Sequence, residues 1–391
     1  MSSSLDVALG YVSPTPAWVR GGLADSGAFL LEARAAEAVT ATARQWPGAV
    51  TVLVPEILEV PASAALPDGL AVVGDTDVAV NVRQSGHGPE AVDRHGFDIV
   101  TGLLAPHMLD LVQAQTPIVL TAEVDWRIRW GIQRALGARG INALRVLAGL
   151  GRQELRIRRA AGQTAGLQCN GPAASHAYSG LTHESLTYYD HRVRASDLEA
   201  ARDVSGWDGQ GALRLGFSGR LDPIKGPQFA LEATRRARVR GLNVELTIFG
   251  AGPLEEELRR SQDSGIRFAG FRAFRDEWLP EVRESIDLMV LPHPQGDPSC
   301  TYFESLGSGC PVLGFRNSTL TPLAVDHGLG WAVEPGNVDG LVERLAQIME
   351  DPQSLADARL RGLEFMGEHT FEKTVQKRVE HTVRCLQAAG R

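Results

Sequence analysis

Lysine is scarce in this 391-residue chain: three of its 39 basic residues are lysine, and one of them, Lys225, lies in a glycine-rich segment. The four cysteines form no Cys-x-x-Cys pair, which argues against a disulfide framework and fits a reducing compartment. No basic stretch followed by an apolar run stands at the amino terminus, and no apolar segment approaches the ~18–20 residues that a membrane span needs. These absences predict a soluble cytoplasmic protein.

Charge and length restrict the classes of function and the number of domains. A net charge of −8 argues against nucleic acid as the main partner, because binding to a phosphate backbone needs a basic surface. Hydrophobic residues make up 43% of the chain, as in an ordinary globular protein. At 391 residues the chain exceeds what one hydrophobic core usually organises, so two domains of roughly 150–200 residues each are expected.

Short apolar runs alternate with helical or turn-rich segments along the chain, which indicates parallel sheets with crossover helices. We predict an α/β protein with two Rossmann-like, doubly wound parallel-sheet domains that face an inter-domain cleft. The first domain is expected at residues 1–198 and the second at 199–374, with a polar linker at 195–211 and a C-terminal helix, at about 375–391, packing back on the first domain. Strands are predicted at residues 7–12, 50–54, 70–73, 78–82, 98–100, 117–121, 212–217, 244–249, 265–268, 288–291, 311–315 and 331–333, and helices at 25–45 and 228–240.

A glycine-rich turn carries the clearest chemical signal. The segment from Gly216 to Gly226 reads Gly-Phe-Ser-Gly-Arg-Leu-Asp-Pro-Ile-Lys-Gly and stands between a predicted strand and a predicted helix. It brings together Arg220, Lys225 and exposed backbone N–H groups, which can bind a diphosphate. A polar connection without a ligand is the alternative interpretation.

A second segment offers carboxylates for the hydroxyls of a sugar or a ribose. It reads Asp297-Pro-Ser-Cys-Thr-Tyr-Phe-Glu304 and is followed by Gly309-Cys-Pro-Val312. Together the two segments resemble the nucleotide-sugar pocket of retaining family-4 glycosyltransferases of the GT-B fold. The family pattern Gly-Arg-Leu-x-x-x-Lys-Gly is matched at every fixed position.

The resemblance implies that Arg220 and Lys225 contact the diphosphate of the donor and that Glu304 binds its ribose hydroxyls. The family has another glutamate eight residues before this one, where the chain has Gly296, and the nearest carboxylate is Asp297. Asp297 either reaches a sugar hydroxyl in place of the missing glutamate or caps the helix that follows. Backbone amides of the same loop are expected around Ser299, Cys300 and Thr301.

Three further segments resemble donor-binding parts of the family. Gly250 and Gly252 match its next glycine turn, where glycine permits close approach of the backbone to a ligand, although a simple helix-entry turn explains them equally well. Phe271 and Arg272 match the segment that flanks the nucleobase, without a side chain that decides between uracil, guanine and adenine. Gly22 resembles the glycine after the first strand, near the donor phosphate, and a plain loop is the alternative.

Acidic residues of the expected first domain are the candidates for contact with the acceptor. Many family members have a histidine near the reacting sugar at the position that Glu123 occupies here, and Asp125 follows it. Glu123 could orient an acceptor hydroxyl or pair with an ammonium group, or it could be a solvated carboxylate beside Arg127 and Arg129. His107 is a separate candidate, for which a structural role is the commoner explanation.

Two other charged segments are interpreted as solvent-exposed. Asp75-Thr-Asp77 resembles the metal-binding signature of the other glycosyltransferase architecture, but the two Rossmann-like halves favour a metal-independent enzyme, and no metal site is predicted. The stretch from Arg127 to Arg159 has nine arginines and one carboxylate, Glu154. That stretch could dock on anionic lipid or bind a phosphorylated acceptor, whereas a solvated helical face is the preferred interpretation.

The resemblance therefore implies a retaining, metal-independent glycosyltransferase that moves a hexose or amino-hexose from a nucleotide sugar. A UDP-sugar is expected ahead of a GDP- or ADP-sugar, with no cofactor besides this co-substrate. The carboxylates of Glu123 and Asp125 favour a small polar acceptor, such as an aminocyclitol. The alternatives are transfer to an envelope polysaccharide or a lipid-linked sugar, an inactive nucleotide-sugar-binding pseudoenzyme, an epimerase and a metal-dependent transferase.

Overall fold

A computed structural model of the chain describes residues 7–20, 29–60, 69–74, 77–86, 88–260, 264–296 and 298–390. Within these ranges, no helix combines the length and the apolar character that crossing a membrane requires.

The chain divides into two compact units, and the division differs in detail from the expected domains. The first unit comprises Met1–Asp125, Gly151–Tyr188 and Glu372–Arg391, and the second comprises Trp126–Leu150 and Tyr189–Phe371. Residues 126–150 and 189–198, which the sequence analysis places in the first domain, group with the second unit.

The elements of the amino-terminal half alternate between short strands and helices. The strands are β1 (Leu9–Val12), β2 (Ala17–Arg20), β3 (Leu30–Glu32), β4 (Val50–Val54), β5 (Ile57–Val60), β6 (Leu70–Val72), β7 (Val80–Gln84), β8 (Ile99–Leu103), β9 (Ile118–Ala122), β10 (Gly166–Asn170) and β11 (Ser185–Tyr188). The helices are α1 (Ala33–Gln45), α2 (Pro89–Arg94), α3 (Trp126–Ala135), α4 (Gly140–Ala161), α5 (Gly171–Tyr178) and α6 (Ala195–Arg202).

Seven of these strands form the parallel sheet of the first unit, in the order β11-β10-β9-β8-β1-β4-β7. Every residue of β4, β9 and β10 is buried, because helices cover both faces of such a sheet and its strands are therefore apolar throughout. The predicted parallel sheet of this domain is confirmed.

A second, smaller sheet in the first unit is absent from the sequence prediction. Its order is β5-β2-β3-β6, with β3 antiparallel to both β2 and β6. As a result α1 begins at Ala33, and the predicted helix at 25–45 is wrong at residues 30–32, which form β3. Of its four strands, β6 lies within the strand predicted at 70–73, whereas β2, β3 and β5 were not predicted, because three or four residues are too few to show clear alternation.

The elements of the carboxyl-terminal half follow the predicted order. The strands are β12 (Leu213–Ser218), β13 (Val244–Phe249), β14 (Ile266–Gly270), β15 (Leu288–Leu291), β16 (Val312–Phe315) and β17 (Gly330–Val333). The helices are α7 (Pro227–Val239), α8 (Glu255–Arg259), α9 (Leu279–Ser285), α10 (Cys300–Gly307), α11 (Leu320–Val325), α12 (Val338–Glu350), α13 (Pro352–Gly367) and α14 (Phe371–Ala388), with a π-helical turn at Phe274–Trp278.

The second unit has a six-stranded parallel sheet in the order β14-β13-β12-β15-β16-β17. In chain order this is the 3-2-1-4-5-6 arrangement of a doubly wound fold. The strand order reverses between β12 and β15, and ligands of such sheets bind at this switch point, beyond the carboxyl ends of the strands. A ligand site is therefore expected at the loops after β12 and β15.

Two helices, α6 and α14, begin near the boundaries between the two units. Residues 195–202 of the predicted linker form α6, so the linker prediction is wrong there. In the first unit, α14 packs beside β10, where Gln168 Nε2 donates to the backbone oxygen of Arg378 at 3.0 Å and Arg378 Nε donates to Gln168 Oε1 at 2.7 Å.

Candidate functional site

The turn after β12 is held in shape by a buried aspartate. Asp222, 6% exposed, accepts hydrogen bonds from the backbone N–H of Ile224 at 3.1 Å and of Lys225 at 3.2 Å, and it pairs with Arg220 Nε. Sequence reasoning did not assign Asp222 a role, although its place between the arginine and the lysine was a local signal. Its carboxylate orients the turn that presents both cations.

Gly226 ends this turn and lets α7 begin. Its φ of 71° lies in the left-handed region, and a Cβ at this position would overlap the backbone oxygen of Pro292 in the loop after β15. The close approach brings the two loops of the switch point together, and Lys225 Nζ donates to Ser299 Oγ at 3.4 Å. Two residues predicted to bind the donor therefore lie side by side.

A cavity of about 370 Å³ opens beside this turn, within the second unit. It lies at the carboxyl ends of β12, β13 and β14, where the fold predicts a ligand. The cavity is lined by Arg192, Ser218, Gly219, Arg220, Phe249, Gly250, Ala251, Phe271, Arg272, Phe274, Trp278 and Glu304. Six of these residues were predicted to bind the donor: Gly219, Arg220, Gly250, Phe271, Arg272 and Glu304.

Glu304 and Arg192 form an ion pair in the cavity. The Glu304 side chain is 6% exposed, and Arg192 Nε donates to its Oε1 at 3.3 Å. The Arg192 guanidinium also lies 3.9 Å from the centre of the Phe274 ring, in cation–π geometry. Sequence reasoning missed Arg192, because 112 residues separate it from Glu304 and no motif surrounds it.

The aromatic wall of the cavity is fixed by hydrogen bonds and ring contacts. Phe274 and Trp278 stack at 5.6 Å, and Trp278 Nε1 donates to Ser218 Oγ at 2.9 Å. Arg275 Nη2 donates to the backbone oxygen of Arg192 at 2.8 Å, which holds the segment that carries this arginine. These contacts within the protein fix the position of the wall.

Gly250 and Gly252, in the turn after β13, let that turn pack closely against the turn after β12. Gly250 has a φ of 113°, and a Cβ there would overlap the backbone oxygen of Gly219. A Cβ on Gly252 would lie 2.6 Å from the backbone oxygen of Leu221. Gly250 lines the cavity, whereas Gly252 is not among the lining residues, so packing between the turns after β12 and β13 explains both glycines.

The segment predicted to flank the nucleobase lies at the cavity rim. Phe271 is 65% exposed, which leaves its ring available for stacking. Arg272 Nε donates to Glu281 Oε2 at 3.0 Å, and Arg267 Nη2 donates to Glu281 Oε1 at 2.6 Å. Burial opposes ionisation of Glu281, but the hydrogen bonds from the two arginines outweigh it and lower the pKa of this carboxyl.

The loop after β15 leads into α10 with its polar residues at the helix start. Ser299 is the N-cap residue, and Ser299 and Thr301 are buried, whereas Cys300 is half-buried. The first backbone N–H groups of a helix lack partners within that helix and carry partial positive charge, which favours a phosphate or a carboxylate nearby. Asp297 and, in the first unit, Gly22 lie outside the described residues.

The predicted acceptor residues belong to the first unit. Glu123 is exposed directly after β9, Asp125 is 5% exposed, and His107 is exposed in a turn. Asp77 also lies in a turn, and Asp75 is outside the described residues. Across the described part of the chain, no group of three or more His, Cys, Asp or Glu side chains has an arrangement that could hold a metal ion.

The chain is similar in sequence to known glycosyltransferases. Residues 212–351 match the family model of glycosyl transferases group 1. The putative colanic acid biosynthesis glycosyltransferase WcaL of Escherichia coli is 26% identical over 171 residues, which are 41% of each chain. The 2-deoxystreptamine glucosyltransferase of Streptomyces kanamyceticus is 20% identical over 178 residues, 44% of this chain and 46% of the relative. The chain thus spans less than half the length of the curated relatives it matches.

The likeness to solved structures extends over both units. The structure of Anabaena HepE in complex with UDP and glucose is 16% identical, covers 97% of this chain and 99% of the other, and has a TM-score of 0.59. The predicted GT-B fold is confirmed, and so is the resemblance to glycosyltransferases, over the residues that the group 1 model matches. Membership of family 4 stays a prediction.

Proposed function

We propose that this GT-B chain, whose second unit matches group 1 glycosyl transferases, is a glycosyltransferase. It transfers a hexose or amino-hexose from a nucleoside diphosphate sugar to a hydroxyl group of an acceptor, with retention of anomeric configuration. The observation that carries the proposal is the cavity at the switch point, because it combines the cation of Arg220, the buried carboxylate of Glu304 and an aromatic wall. Arg220 suits the diphosphate of a donor, Glu304 suits its ribose, and the aromatic wall suits its nucleobase.

The roles of the cations follow from charge development during transfer. When the bond between the sugar C1 and the phosphate oxygen breaks, negative charge grows on the departing diphosphate. Arg220 lines the cavity and Lys225 lies on the same turn, so both stabilise that charge. The leaving phosphate oxygen accepts the proton of the acceptor hydroxyl on the same face of the sugar, and the new bond forms between C1 and the acceptor oxygen. This route requires no protein nucleophile and no metal ion.

A uridine nucleotide is the favoured donor, and no further cofactor is needed. Anabaena HepE, which has the same fold, was solved with UDP and glucose, and this supports a UDP-sugar here as well. GDP- and ADP-sugars are the alternatives. Phe271, at the cavity rim, supplies a ring that would stack on a base without selecting its identity.

The acceptor proposal rests on the relatives and on acidic residues of the first unit. A glucosyltransferase of an aminocyclitol, 2-deoxystreptamine, is among the relatives, and Glu123 is an exposed carboxylate that would pair with an ammonium group of such an acceptor. The WcaL relative supports the second candidate, transfer during polysaccharide synthesis.

The experiment combines donor binding, turnover and two variants of the turn. A thermal-shift series with UDP-, GDP- and ADP-sugars identifies the nucleotide, and mass spectrometry then follows glycoside formation on panels of aminocyclitols and oligosaccharides. We expect Arg220→Ala and Lys225→Ala to lower turnover by orders of magnitude while the folded state persists, because in both variants Asp222 keeps its hydrogen bonds from the backbone N–H groups at positions 224 and 225. The matched control is Lys377→Ala, an exposed lysine on α14, with turnover unchanged.

Three results contradict the proposal. Wild-type turnover in Arg220→Ala and Lys225→Ala would show that these cations do not stabilise the departing diphosphate. Nucleotide binding without any transfer across the acceptor panels indicates the inactive pseudoenzyme instead. Turnover that a chelator abolishes indicates a metal-dependent transferase.

A further inference from the structure

Helix α4 has two apolar faces, and one of them is exposed. On one face Ile157, Ala160 and Ala161 are buried in the core of the first unit. On the opposite side Ile141 is 72% exposed and Leu144 is 67% exposed. Leu155 continues this second face and is 59% exposed. Large apolar side chains at such exposure along one helix mark an interaction surface.

The exposed apolar residues form a stripe with a cationic border. At about 100° per residue, Ile141, Leu144, Ala148 and Leu155 fall within an arc of about 60°. The adjoining arc of similar width holds four exposed arginines: Arg145, Arg152, Arg156 and Arg159. We call these eight residues the α4 docking face.

The charge of this face is not neutralised by the protein. None of its four arginine side chains makes an ion pair or a hydrogen bond with any residue that the structure describes. The carboxylate of α4, Glu154, is turned inward, where it is 8% exposed and accepts a hydrogen bond from Tyr178 Oη at 2.9 Å. Arg158 lies outside the face and donates to the backbone oxygen of Ala177. A cationic surface thus stands on a chain whose net charge is −8.

We propose that the α4 docking face binds the surface of an anionic lipid bilayer. Ile141, Leu144 and Leu155 would enter the boundary between headgroups and acyl chains, and the four arginines would contact lipid phosphates. Helices that lie in the membrane interface have this combination of an apolar stripe with flanking arginines. Arginine suits the role, because its guanidinium binds phosphate through two parallel hydrogen bonds while its stem packs on apolar groups.

Charge complementarity favours lipid over a second copy of the chain. A symmetric dimer through this face would bring two sets of four arginines together, and the face has no carboxylate to pair with them. An anionic lipid surface neutralises every arginine at once. The sequence interpretation of this stretch as a solvated face does not account for the exposed isoleucine and leucines between the arginines.

The test is co-sedimentation of the full chain with vesicles of phosphatidylcholine alone or mixed with phosphatidylglycerol. We expect binding to the mixed vesicles only, weakened by added salt. Leu144→Asp should abolish binding, whereas the control Leu360→Asp on α13, where the leucine is 63% exposed, should leave it unchanged. Arg145→Gln and Arg152→Gln should each weaken binding about fivefold.

Three outcomes overturn the proposal. They are failure of the wild-type chain to bind mixed vesicles, equal binding by Leu144→Asp and Leu360→Asp, and a lower oligomeric mass of Leu144→Asp in light scattering, which indicates a protein interface. Circular dichroism of each variant establishes that the loss of binding does not come from unfolding. Because the readout is sedimentation with lipid, it is independent of donor and acceptor.

Discussion

Replacement of Arg192 by methionine tests whether the ion pair in the cavity holds the site together. Methionine keeps an unbranched apolar side chain over Phe274 but removes the cation that binds Glu304. The carboxylate of Glu304, 6% exposed, would then lie in the cavity wall without that partner. We expect both the stability of the second unit and its affinity for a uridine nucleotide to fall.

The size of the effect follows from distance and burial. At 3.3 Å and an effective dielectric constant of about 20, the attraction between the two charges is about 5 kcal/mol. Desolvation offsets much of it, and Arg192 is 23% exposed, so removing one partner should cost about 2–3 kcal/mol, including about 1 kcal/mol from the lost cation–π contact. UDP should bind roughly tenfold more weakly, because Glu304 is no longer held toward the ribose.

The assay pairs urea denaturation with calorimetric titration of UDP. The control is Arg260→Met, which breaks an ion pair with Glu256 of 2.7 Å between side chains that are 72% and 84% exposed. An exposed pair of this kind contributes about 0.5 kcal/mol or less. If Arg192→Met and Arg260→Met lose the same stability and bind UDP equally well, the reasoning about the cavity is refuted.

Three further predictions concern backbone, pH and thiol chemistry. Gly226→Ala should cost at least about 1 kcal/mol more in urea denaturation than Gly241→Ala, because both have positive φ but only the first Cβ meets another backbone; equal losses would contradict this. Glu281→Gln should destabilise the protein at neutral pH. The wild-type advantage should disappear as the pH falls through the lowered pKa of Glu281; an advantage that persists in acid would contradict the assigned ion pairs. A thiol reagent should modify Cys300 first in the native state, and UDP should slow the reaction; the other cysteines are buried, and burial raises the pKa of Cys169 to about 11.

Local patterns in the sequence were sufficient to identify the core of the second unit. The strands at 244–249 and 288–291 were predicted at their observed bounds, because each is an apolar run bounded by turn residues. The turn that carries Arg220 and Lys225 was also legible, since glycine and proline specify its conformation within a few residues. The three residues of β3 are too few to show such a pattern, so this strand was not predicted.

What the sequence by itself determined is therefore the order of the strands in the second unit and the chemistry of two loops, because short-range periodicity and backbone restrictions are local properties. Tertiary structure alone decided which distant side chains meet. The pairing of Arg192 with Glu304 depends on packing across 112 residues of chain, and the exposed face of α4 depends on which side of the helix the core covers. Neither is encoded in a neighbouring residue, since burial is a property of the whole fold.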